Sequence, residues 1–508
     1  MNAIVSIAGA DAVERTRRFT FLLTIAVALY AGYLYVPNIH AGYATVTIHG
    51  HRGIYNSAYL GAAIALLTSS FLGLIGFYLV RGSVERDREL KVDGVVCASP
   101  VRRVIFLLGK FTSNLVVLCA IAGISFLAAM FMQELRGEDR HIDVFAYAIP
   151  FALISIPALA MVAAIAVAFD VVKPLRGILG GLLYVFIWTS FLAVPMTTTN
   201  GARLSPVDPL GMTTITASLG AAAQAAYPKD KNDDVTIGGG VVPKGGLSAY
   251  RFDGVRWAPT IVAQRLEWFA LAILLVLVFA TLFDRFSREG SAGQRSAFAF
   301  DLTRIIPNIP ALRIVRAEFA LLVNGASIWW LLGAVGLAVG TGVAPFDAVT
   351  RFILPIALIW PIERLSALGA RERRWNVADI LAATRGFAGR TLLIQWGAGT
   401  ILGSLVCAGY IGRLAITGHP SAVLACVTVI AATTAAALAL GTLSGASRFF
   451  EAGYLLVWYL GPINHLPALD FAASTMSAPL TLVTVCAVLL AIFLSLAALG
   501  RRAAALTS

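Results

Sequence analysis

Long apolar stretches separated by short polar segments dominate the chain. The recurring apolar windows predict an all-α polytopic membrane protein with about twelve transmembrane helices, since roughly 20 apolar residues cross a bilayer. A larger external segment is predicted between the fifth and sixth spans, near 195–262. The predicted spans lie near 19–38, 58–80, 104–132, 145–169, 177–195, 263–283, 326–344, 348–365, 390–411, 420–443, 449–463 and 478–499.

One polar segment divides the chain into halves. Residues 286–310 are rich in Arg, Ser, Gly and Pro and have no long apolar run, which predicts a cytoplasmic linker. It separates two six-span halves at 1–285 and 311–508. Directly after it, four apolar residues share one helical face, which predicts an amphipathic helix on the inner membrane surface, with a shorter counterpart over 11–18. The four are Leu312, Val315, Phe319 and Leu322.

The external segment 195–262 has its own predicted structure. Asp208 and Pro209 predict an N-cap and a first helical residue, and the run of small residues over 212–226 predicts a compact or re-entrant helix on the outer face. Two runs, 229–234 and 238–240, are predicted to form an exposed loop. An external partner could bind here.

Composition and charge place the chain in a membrane. Hydrophobic residues make up 58% of it and charged residues 13%, against roughly 25% charged in soluble domains. The net charge of +12 comes mostly from Arg and Lys in alternate loops, which predicts that both termini are cytoplasmic in a multi-pass cell (inner) membrane protein. No small-residue cleavage site follows the first apolar run, so we interpret it as a retained span. We therefore attribute the positive charge to topology and expect no nucleic-acid partner.

A charged segment followed by a short amphipathic pattern occurs twice. A shift of 285 positions aligns 86–111 with 371–396 without gaps. In both copies, three apolar residues at i, i+3, i+4 spacing give a short helix one apolar face behind a charged start. We interpret the copies as docking surfaces; the alternative is two solvated loops whose charges only fix topology. The residues are Glu85, Arg86, Asp87, Arg88, Glu89, Val92, Val95 and Val96, then Arg371, Glu372, Arg373, Arg374, Val377, Ile380 and Leu381.

The first copy resembles the cytoplasmic loop after the second span of ABC-2-type transporter permeases. The likeness is carried by Gly-Ser-Val-Glu-Arg-Asp-Arg-Glu-Leu at 82–90, Ala-Ser-Pro-Val-Arg-Arg at 98–103 and Leu-Gly-Lys-Phe at 108–111. Residues 252–254, 265–268 and 282–286 look like the return into the sixth span of larger permeases of this class, some linked to multicopper enzyme maturation. The second half matches mainly in spacing, because Thr384 replaces Ser99 and Gln395 replaces Lys110.

The resemblance implies two six-helix ABC-2-type halves fused into the permease of an exporter. A separate cytoplasmic ATPase, in two copies, would dock on coupling segments 85–99 and 371–384. ATP and Mg would be bound by that partner, and no cofactor by this chain. The substrate is expected to be hydrophobic or amphipathic, and membrane lipid is an expected partner. By family analogy, the pathway would be lined by Tyr55, Asn56, Tyr59, Trp188 and Phe191.

Missing motifs fit an external energy source. The Gly-Lys-Phe-Thr run at 109–112 lacks the upstream glycine and spacing of a phosphate-binding loop, so the chain is not expected to hydrolyse ATP. An ion-coupled secondary transporter with two six-span repeats is the alternative. It would usually place acids inside spans, whereas Asp170, Glu267, Asp347 and Glu451 lie at predicted span ends.

A third interpretation is a membrane-embedded glycosyltransferase or protease. The first external loop, 40–56, contains no acidic residue to hold a metal, and the sequence has no His-Glu-x-x-His motif. His49 and His51 could chelate a soft divalent metal, although histidine is also common in turns. The cysteines are Cys97 in a predicted cytoplasmic loop and four inside spans, which indicates packing and neither disulfides nor Cys-type metal sites.

Overall fold

Apolar composition favours helices here, because a backbone in lipid must satisfy its own N–H and C=O groups. The chain divides into two units, unit 1 from Met1 to Arg288 and unit 2 from Glu289 to Ser508. This boundary falls inside the predicted linker 286–310, whose residues lie outside the described part of the chain. The computed structural model describes residues 2–16, 19–38, 43–89, 101–172, 175–176, 178–198, 207–229, 235–241, 246–283, 313–323, 326, 328–375, 377, 387–463 and 469–507.

The helices make this a membrane-embedded protein. Within the described ranges, six helices are long and apolar enough to cross a membrane, and a seventh crossing is counted if Gly389–Val406 and Ala408–Ile416, bent by 72°, form one span. Other predicted spans are shorter or broken helices, so twelve crossings stay a prediction. The six are Ser57–Asp87, Arg103–Arg136, Val144–Val171, Pro259–Leu282, Pro420–Ser444 and Pro479–Ala503.

Unit 1 is a helical bundle with short strands at one end. Its first helix, α1, packs along α6, as does α2. The helices are α1 Asn2–Thr16, α2 Phe19–Tyr35, α3 Ser57–Leu67, α4 Gly73–Val80, α5 Ser83–Glu89, α6 Arg103–Arg136, α7 Val144–Pro150, α8 Ile156–Val171, α9 Ile178–Thr198, α10 Met212–Ala226 and α11 Pro259–Leu282. We call the end containing α1, α5 and the start of α6 the charged end.

Two π-helical turns interrupt the spans of unit 1, and they pack against each other. Thr68–Leu72 joins α3 to α4, and Phe151–Ser155 joins α7 to α8. A π turn releases backbone carbonyls from the regular helical pattern. At the first turn, Trp188 Nε1 on α9 donates to the carbonyl oxygen of Ser70 at 2.8 Å. The irregularity thus anchors α9 to the span formed by α3 and α4.

The opposite end of unit 1, the strand end, carries two small sheets. Strand β1 pairs antiparallel with β3, and β2 pairs in parallel with β4. The predicted exposed loop is wrong for 238–240, because these glycines extend a strand begun by three β-branched residues, 235–237, against a β-branched partner. Residues 230–234 lie outside the described residues. The strands are β1 Tyr43–Ile48, β2 Arg52–Gly53, β3 Val235–Val241 and β4 Ala249–Tyr250.

The compact helix predicted over 212–226 is present as α10. Its first residue is Met212, so the prediction that Pro209 is the first helical residue is wrong. The chain turns at Pro209 and enters the helix through Gly211, whose φ of +76° favours glycine. Asp208 nevertheless caps the helix, because its carboxylate accepts hydrogen bonds from the backbone N–H groups of Met212 and Thr213, both at 2.8 Å.

A bidentate ion pair joins the strands to the end of α6. Arg52 donates to both carboxylate oxygens of Glu138, at 2.6 and 3.0 Å, and the Tyr55 backbone N–H donates to the same carboxylate at 3.0 Å. The hydrogen bonds from Arg52 lower the pKa of Glu138 below its usual value, although partial burial opposes this. The ionised form of Glu138 therefore stabilises the strand end.

Substituting Glu138→Gln tests this pair. A pKa lowered by folding contributes stability above the usual glutamate pKa and loses it as pH falls through the folded value. We expect E138Q to unfold more easily at pH 7, by roughly 1 kcal/mol for a partly exposed bidentate pair. The difference should shrink as pH falls below the usual glutamate pKa of about 4.3, and it should vanish below the lowered pKa of folded Glu138, where both proteins lack the carboxylate charge. Thermal unfolding of the detergent-solubilised chain against pH measures it; a pH-independent difference would contradict the assignment.

Unit 2 repeats the order of the helices of unit 1 but, in its described residues, has no strands. An amphipathic helix, α12, comes first and packs on α18, as α1 packs on α6. A broken span follows, α14 to α17, then further helices and a long final one. The helices are α12 Arg313–Val323, α13 Ile328–Val343, α14 Phe346–Ala348, α15 Leu354–Ile359, α16 Ile362–Ser366, α17 Arg371–Arg374, α18 Leu392–Val406, α19 Ala408–Ile416, α20 Pro420–Ser444, α21 Arg448–Trp458, α22 Ser474–Ser477 and α23 Pro479–Thr507.

A close crossing of two glycines fixes the broken span of unit 2 against α20. A Cβ added at Gly369 would lie 2.4 Å from the Leu438 carbonyl oxygen, and one at Gly441 would lie 2.9 Å from the Gly369 Cα. Only glycine permits this backbone approach. The crossing sets α17, which begins two residues later, beside the end of α20.

Candidate functional site

A buried ionic cluster ties three helices together at the charged end of unit 1. Lys110 Nζ on α6 donates to Asp11 on α1 at 2.7 Å and to Asp87 on α5 at 2.8 Å. Ser113, one turn further along α6, donates to the second oxygen of Asp11 at 3.2 Å. The Lys110 side chain is 3% exposed. We call Asp11, Asp87, Lys110 and Ser113 the first polar cluster.

The start of α5 is held by a different helix. Asp170, at the end of α8, accepts hydrogen bonds from the backbone N–H groups of Gly82 at 2.7 Å and Val84 at 3.2 Å, and from Ser83 Oγ at 3.3 Å. A carboxylate at a helix N-terminus satisfies N–H groups that lack helical partners. Both ends of α5 are therefore bonded to neighbouring helices, and α5 cannot shift without displacing them.

Unit 2 contains a second polar cluster in the corresponding place, formed by Glu372, Gln395 and Arg501. Gln395 Nε2 on α18 donates to Glu372 Oε1 at 2.8 Å, and its own Oε1 accepts a hydrogen bond from Arg501 Nη2 on α23 at 2.5 Å. Arg501 Nη2 also lies 3.6 Å from Glu372 Oε1. All three side chains are buried. The amide of Gln395 bridges the carboxylate and the guanidinium.

The two clusters occupy equivalent sequence positions. The same shift of 285 places Glu372 on Asp87 and Gln395 on Lys110. In each unit the residue at the first position, an acid, contacts the residue at the second. Unit 2 has an amide where unit 1 has an ammonium, and there Arg501 of the final helix provides the positive charge. The contact is thus repeated while its cation comes from a different helix.

An arginine–glutamate ion pair is also repeated in the two units. Arg86 Nη1 lies 3.4 Å from Glu14 Oε2 on α1, and Arg371 Nη2 lies 2.5 Å from Glu318 Oε2 on α12. Arg86 and Arg371 are aligned by the same shift. In both units the segment after the second span is therefore paired with the helix that opens the unit.

The described residues cover part of the predicted docking surfaces. Asp87 and Glu372 are buried and bonded to span residues, so the solvated-loop interpretation does not apply to them. Glu85 and Arg86 are half-buried, whereas Arg373 and Arg374 are exposed. Val377 is half-buried just after α17. The side chains of Arg88 and Glu89, and all of Val92, Val95, Val96, Ile380 and Leu381, lie outside the described residues, so their docking role stays a prediction.

Sequence reasoning missed the partners of these acids. The sequence patterns mark Lys110 only as part of a Gly-Lys-aromatic step, and Arg501 only as a topology charge. Their partners lie 23 and about 130 positions away in sequence, a separation that local patterns do not resolve. A usable signal was present, since a Lys-to-Gln change within an aligned repeat requires a replacement cation wherever the acid is kept.

The predicted pathway residues lie in the core of unit 1. Tyr59 donates its hydroxyl to the Val46 carbonyl at 2.8 Å, and Asn56 caps α3 and donates to the Phe252 carbonyl at 2.9 Å. Tyr55 and Trp188 are buried, and Phe191 packs at the edge of the same core. In this conformation these side chains connect the strand end to the helices, and a pathway role stays a prediction.

His49 and His51, the candidate metal ligands, lie in different surroundings. His51 is buried and stacks on Tyr227, with ring centroids 4.0 Å apart. His49 adopts a positive φ of 54° in the turn between β1 and β2. Across the described ranges, no group of three or more His, Cys, Asp or Glu side chains is arranged to hold a metal ion.

No protein-family model matches the chain, and no curated protein matches its sequence.

Exchanging the cation of the second polar cluster tests the equivalence of the clusters. Arg501→Gln leaves Glu372 buried without its cation, which should destabilise the chain by about 3 kcal/mol, as for a broken buried ion pair. In a chain that carries Gln395→Lys, the lysine stands at the position of unit 2 that is equivalent to Lys110 in unit 1. It supplies a cation to Glu372, so R501Q should then destabilise the chain much less. Thermal unfolding of the four proteins in detergent gives the coupling directly.

Arg502→Gln is the matched control, because Arg502 neighbours Arg501 on the same helix and is exposed. Its cost should stay within about 0.5 kcal/mol in both backgrounds. If R501Q costs the same in the Gln395→Lys background as in the unsubstituted chain, the two clusters are not interchangeable.

Proposed function

We propose that this chain is the membrane permease of an ATP-binding cassette exporter, driven by a separate cytoplasmic ATPase that docks on two coupling segments, 85–99 and 371–384. The observation that carries the proposal is the repeated acid contact, Asp87 with Lys110 and Glu372 with Gln395. A binding surface for a two-copy motor needs two equivalent attachment points. A single chain containing both would supply the whole membrane unit.

The hydrogen bonds of α5 would couple movement of the docking segment to the membrane spans. A segment pushed by an ATPase moves its spans only if it is rigidly attached to them. In unit 1, α5 is joined to α6 and α1 through Lys110 and to α8 through Asp170. Buried charged hydrogen bonds of this kind cost several kcal/mol to break, so displacement of α5 favours movement of all three helices together.

Unit 2 would transmit force through a different helix. There the cluster joins α17 to α18 and, through Arg501, to the final helix α23. Equivalent docking would therefore be coupled to a different set of helices in each unit. This difference suits an exporter that moves its substrate, proposed to be hydrophobic or amphipathic, through one asymmetric membrane unit.

The proposal assigns the ATP chemistry to the partner. The sequence contains no phosphate-binding loop, so ATP and Mg would be bound by the ATPase, with this chain transmitting conformational change. Both termini would then be cytoplasmic, and the strand end of unit 1 would face outward, where an external partner could reach segment 195–262.

Substituting Arg86→Gln and Arg371→Gln together tests the coupling. Both changes remove the pairing of a coupling segment with the helix that opens its unit, and both leave the buried clusters intact. We expect the ATPase that co-purifies with the tagged chain from native membranes to lose roughly tenfold in its stimulation by this chain, about 1.4 kcal/mol of coupling. The unfolding temperature of the chain alone should change little, since both pairs are partly exposed.

Arg140→Gln, an exposed change in the loop between α6 and α7, is the control and should keep full stimulation. If no Walker-type ATPase co-purifies and the chain transports in proteoliposomes with an ion gradient alone, the secondary-transporter alternative replaces this proposal.

A further inference from the structure

A fully buried arginine in unit 1 has no hydrogen-bond acceptor. Arg265, on α11 inside a span, is 0% exposed in its side chain, and within the described part of the chain none of its three guanidinium nitrogens has a hydrogen-bond partner. A guanidinium presents five N–H donors. Ionised side chains inside a membrane protein are costly and usually mark function.

The nearest opposite charge does not satisfy it. Asp208 Oδ2 lies 3.9 Å from Arg265 Nη2, beyond hydrogen-bonding distance. The Asp208 carboxylate already accepts three short hydrogen bonds from the start of α10, from the Met212 and Thr213 backbone N–H groups and from Thr213 Oγ1 at 2.7 Å. Asp208 therefore balances the charge of Arg265, but it accepts no hydrogen bond from the Arg265 guanidinium.

Arg265 is directed at the N-terminus of α10. Its Nη1 lies 3.1 Å from the position of a Cβ added at Gly211, the residue that precedes the helix. The N-terminus of this 15-residue helix carries about half a positive charge. With the guanidinium and the carboxylate cancelling, the local field remains positive. Such a place binds groups that are anionic and accept hydrogen bonds.

Two other buried hydroxyl groups without hydrogen-bond partners among the described residues lie on α10 and on the second π turn of unit 1. Thr214 Oγ1 in the first turn of α10 and Ser155 Oγ in the second π turn are both buried, and neither has a hydrogen-bond partner among the described residues. That π turn packs against α11. Ile154, next to Ser155 in the turn, lies within 2.8 Å of the same Cβ position on Gly211 as Arg265 Nη1. Buried polar groups are nearly always paired, so several open ones on adjoining elements need a shared explanation.

We propose that Arg265, Thr214 and Ser155 form a binding site for the phosphate or carboxylate group of an amphiphile at the N-terminus of α10. The surrounding residues Leu210, Met212 and Ile215 are buried and apolar, which suits an attached hydrocarbon chain and disfavours a hydrated ion. The site is specific to unit 1. In unit 2, the Asp470 carboxylate accepts a hydrogen bond from the backbone N–H of Ala473, just before α22. However, Val485 occupies the place on α23 that Arg265 occupies on α11, six residues after the first proline of each helix.

The proposal goes beyond the proposed function, because binding at Arg265 requires neither an ATPase nor ATP. It is tested on the purified full chain in neutral detergent with dodecyl phosphate as the probe and dodecanol as the uncharged control. We expect dodecyl phosphate to bind at least tenfold more tightly than dodecanol and to raise the unfolding temperature. Binding should weaken roughly tenfold in Thr214→Val and in Arg265→Lys, which keeps the charge and loses the forked geometry.

Arg251→Gln is the control, since Arg251 is exposed and paired with Asp253 at the strand end; it should bind as the unsubstituted chain does. Competition identifies the source of the natural group. Displacement by phosphatidylglycerol in nanodiscs assigns a lipid headgroup, whereas displacement by inorganic phosphate assigns a free anion. Equal affinity for dodecyl phosphate in the unsubstituted, T214V and R265K chains, or equal affinity for dodecanol, would overturn the site and show that water alone satisfies these donors.

Discussion

The first and second polar clusters depend on one constraint, a buried carboxylate that must be accompanied by a cation. An acid removed from water without a partner costs several kcal/mol, so the fold is built around its counter-charge. In unit 1 this is Lys110, one helix away and shared with Asp11. In unit 2 the equivalent position holds Gln395, and the final helix is required because Arg501 is the cation. The lysine-to-glutamine difference between the repeats thus makes α23 part of the second polar cluster.

Two regions of unit 1 use polar groups differently. At the charged end, Lys110 pairs with Asp11 and Asp87 within 3 Å, which makes a rigid junction between helices. Around α10, Asp208 is satisfied by its own helix and the donors of Arg265 are left open. In the proposed exporter, this arrangement would transmit movement from docking segment 85–99 toward a ligand bound at the N-terminus of α10.

Much of the helical framework could be predicted from sequence, because apolar windows mark helices well. The predicted spans near 420–443 and 145–169 differ from α20 and from the α7–α8 span by at most two residues at each end. The pairing of β1 with β3 was not predictable, since its strands are separated by nearly 200 residues and half of β3 is glycine-rich. Arg501 and Arg265 were not predictable for the same reason, because their roles depend on burial and on contacts with residues distant in sequence. Local patterns report propensity, whereas these contacts are decided by tertiary packing.

In the proposed exporter, one chain presents two equivalent docking sites for an ATPase. Native mass spectrometry of the complex extracted from its own membrane counts the subunits directly. We expect one copy of this chain with two copies of a Walker-type ATPase, and one copy of the ATPase when residues 371–384 are replaced by a Gly-Ser linker of equal length. A complex that contains one ATPase before the replacement, or that keeps two after it, would show that the two segments are not equivalent docking sites.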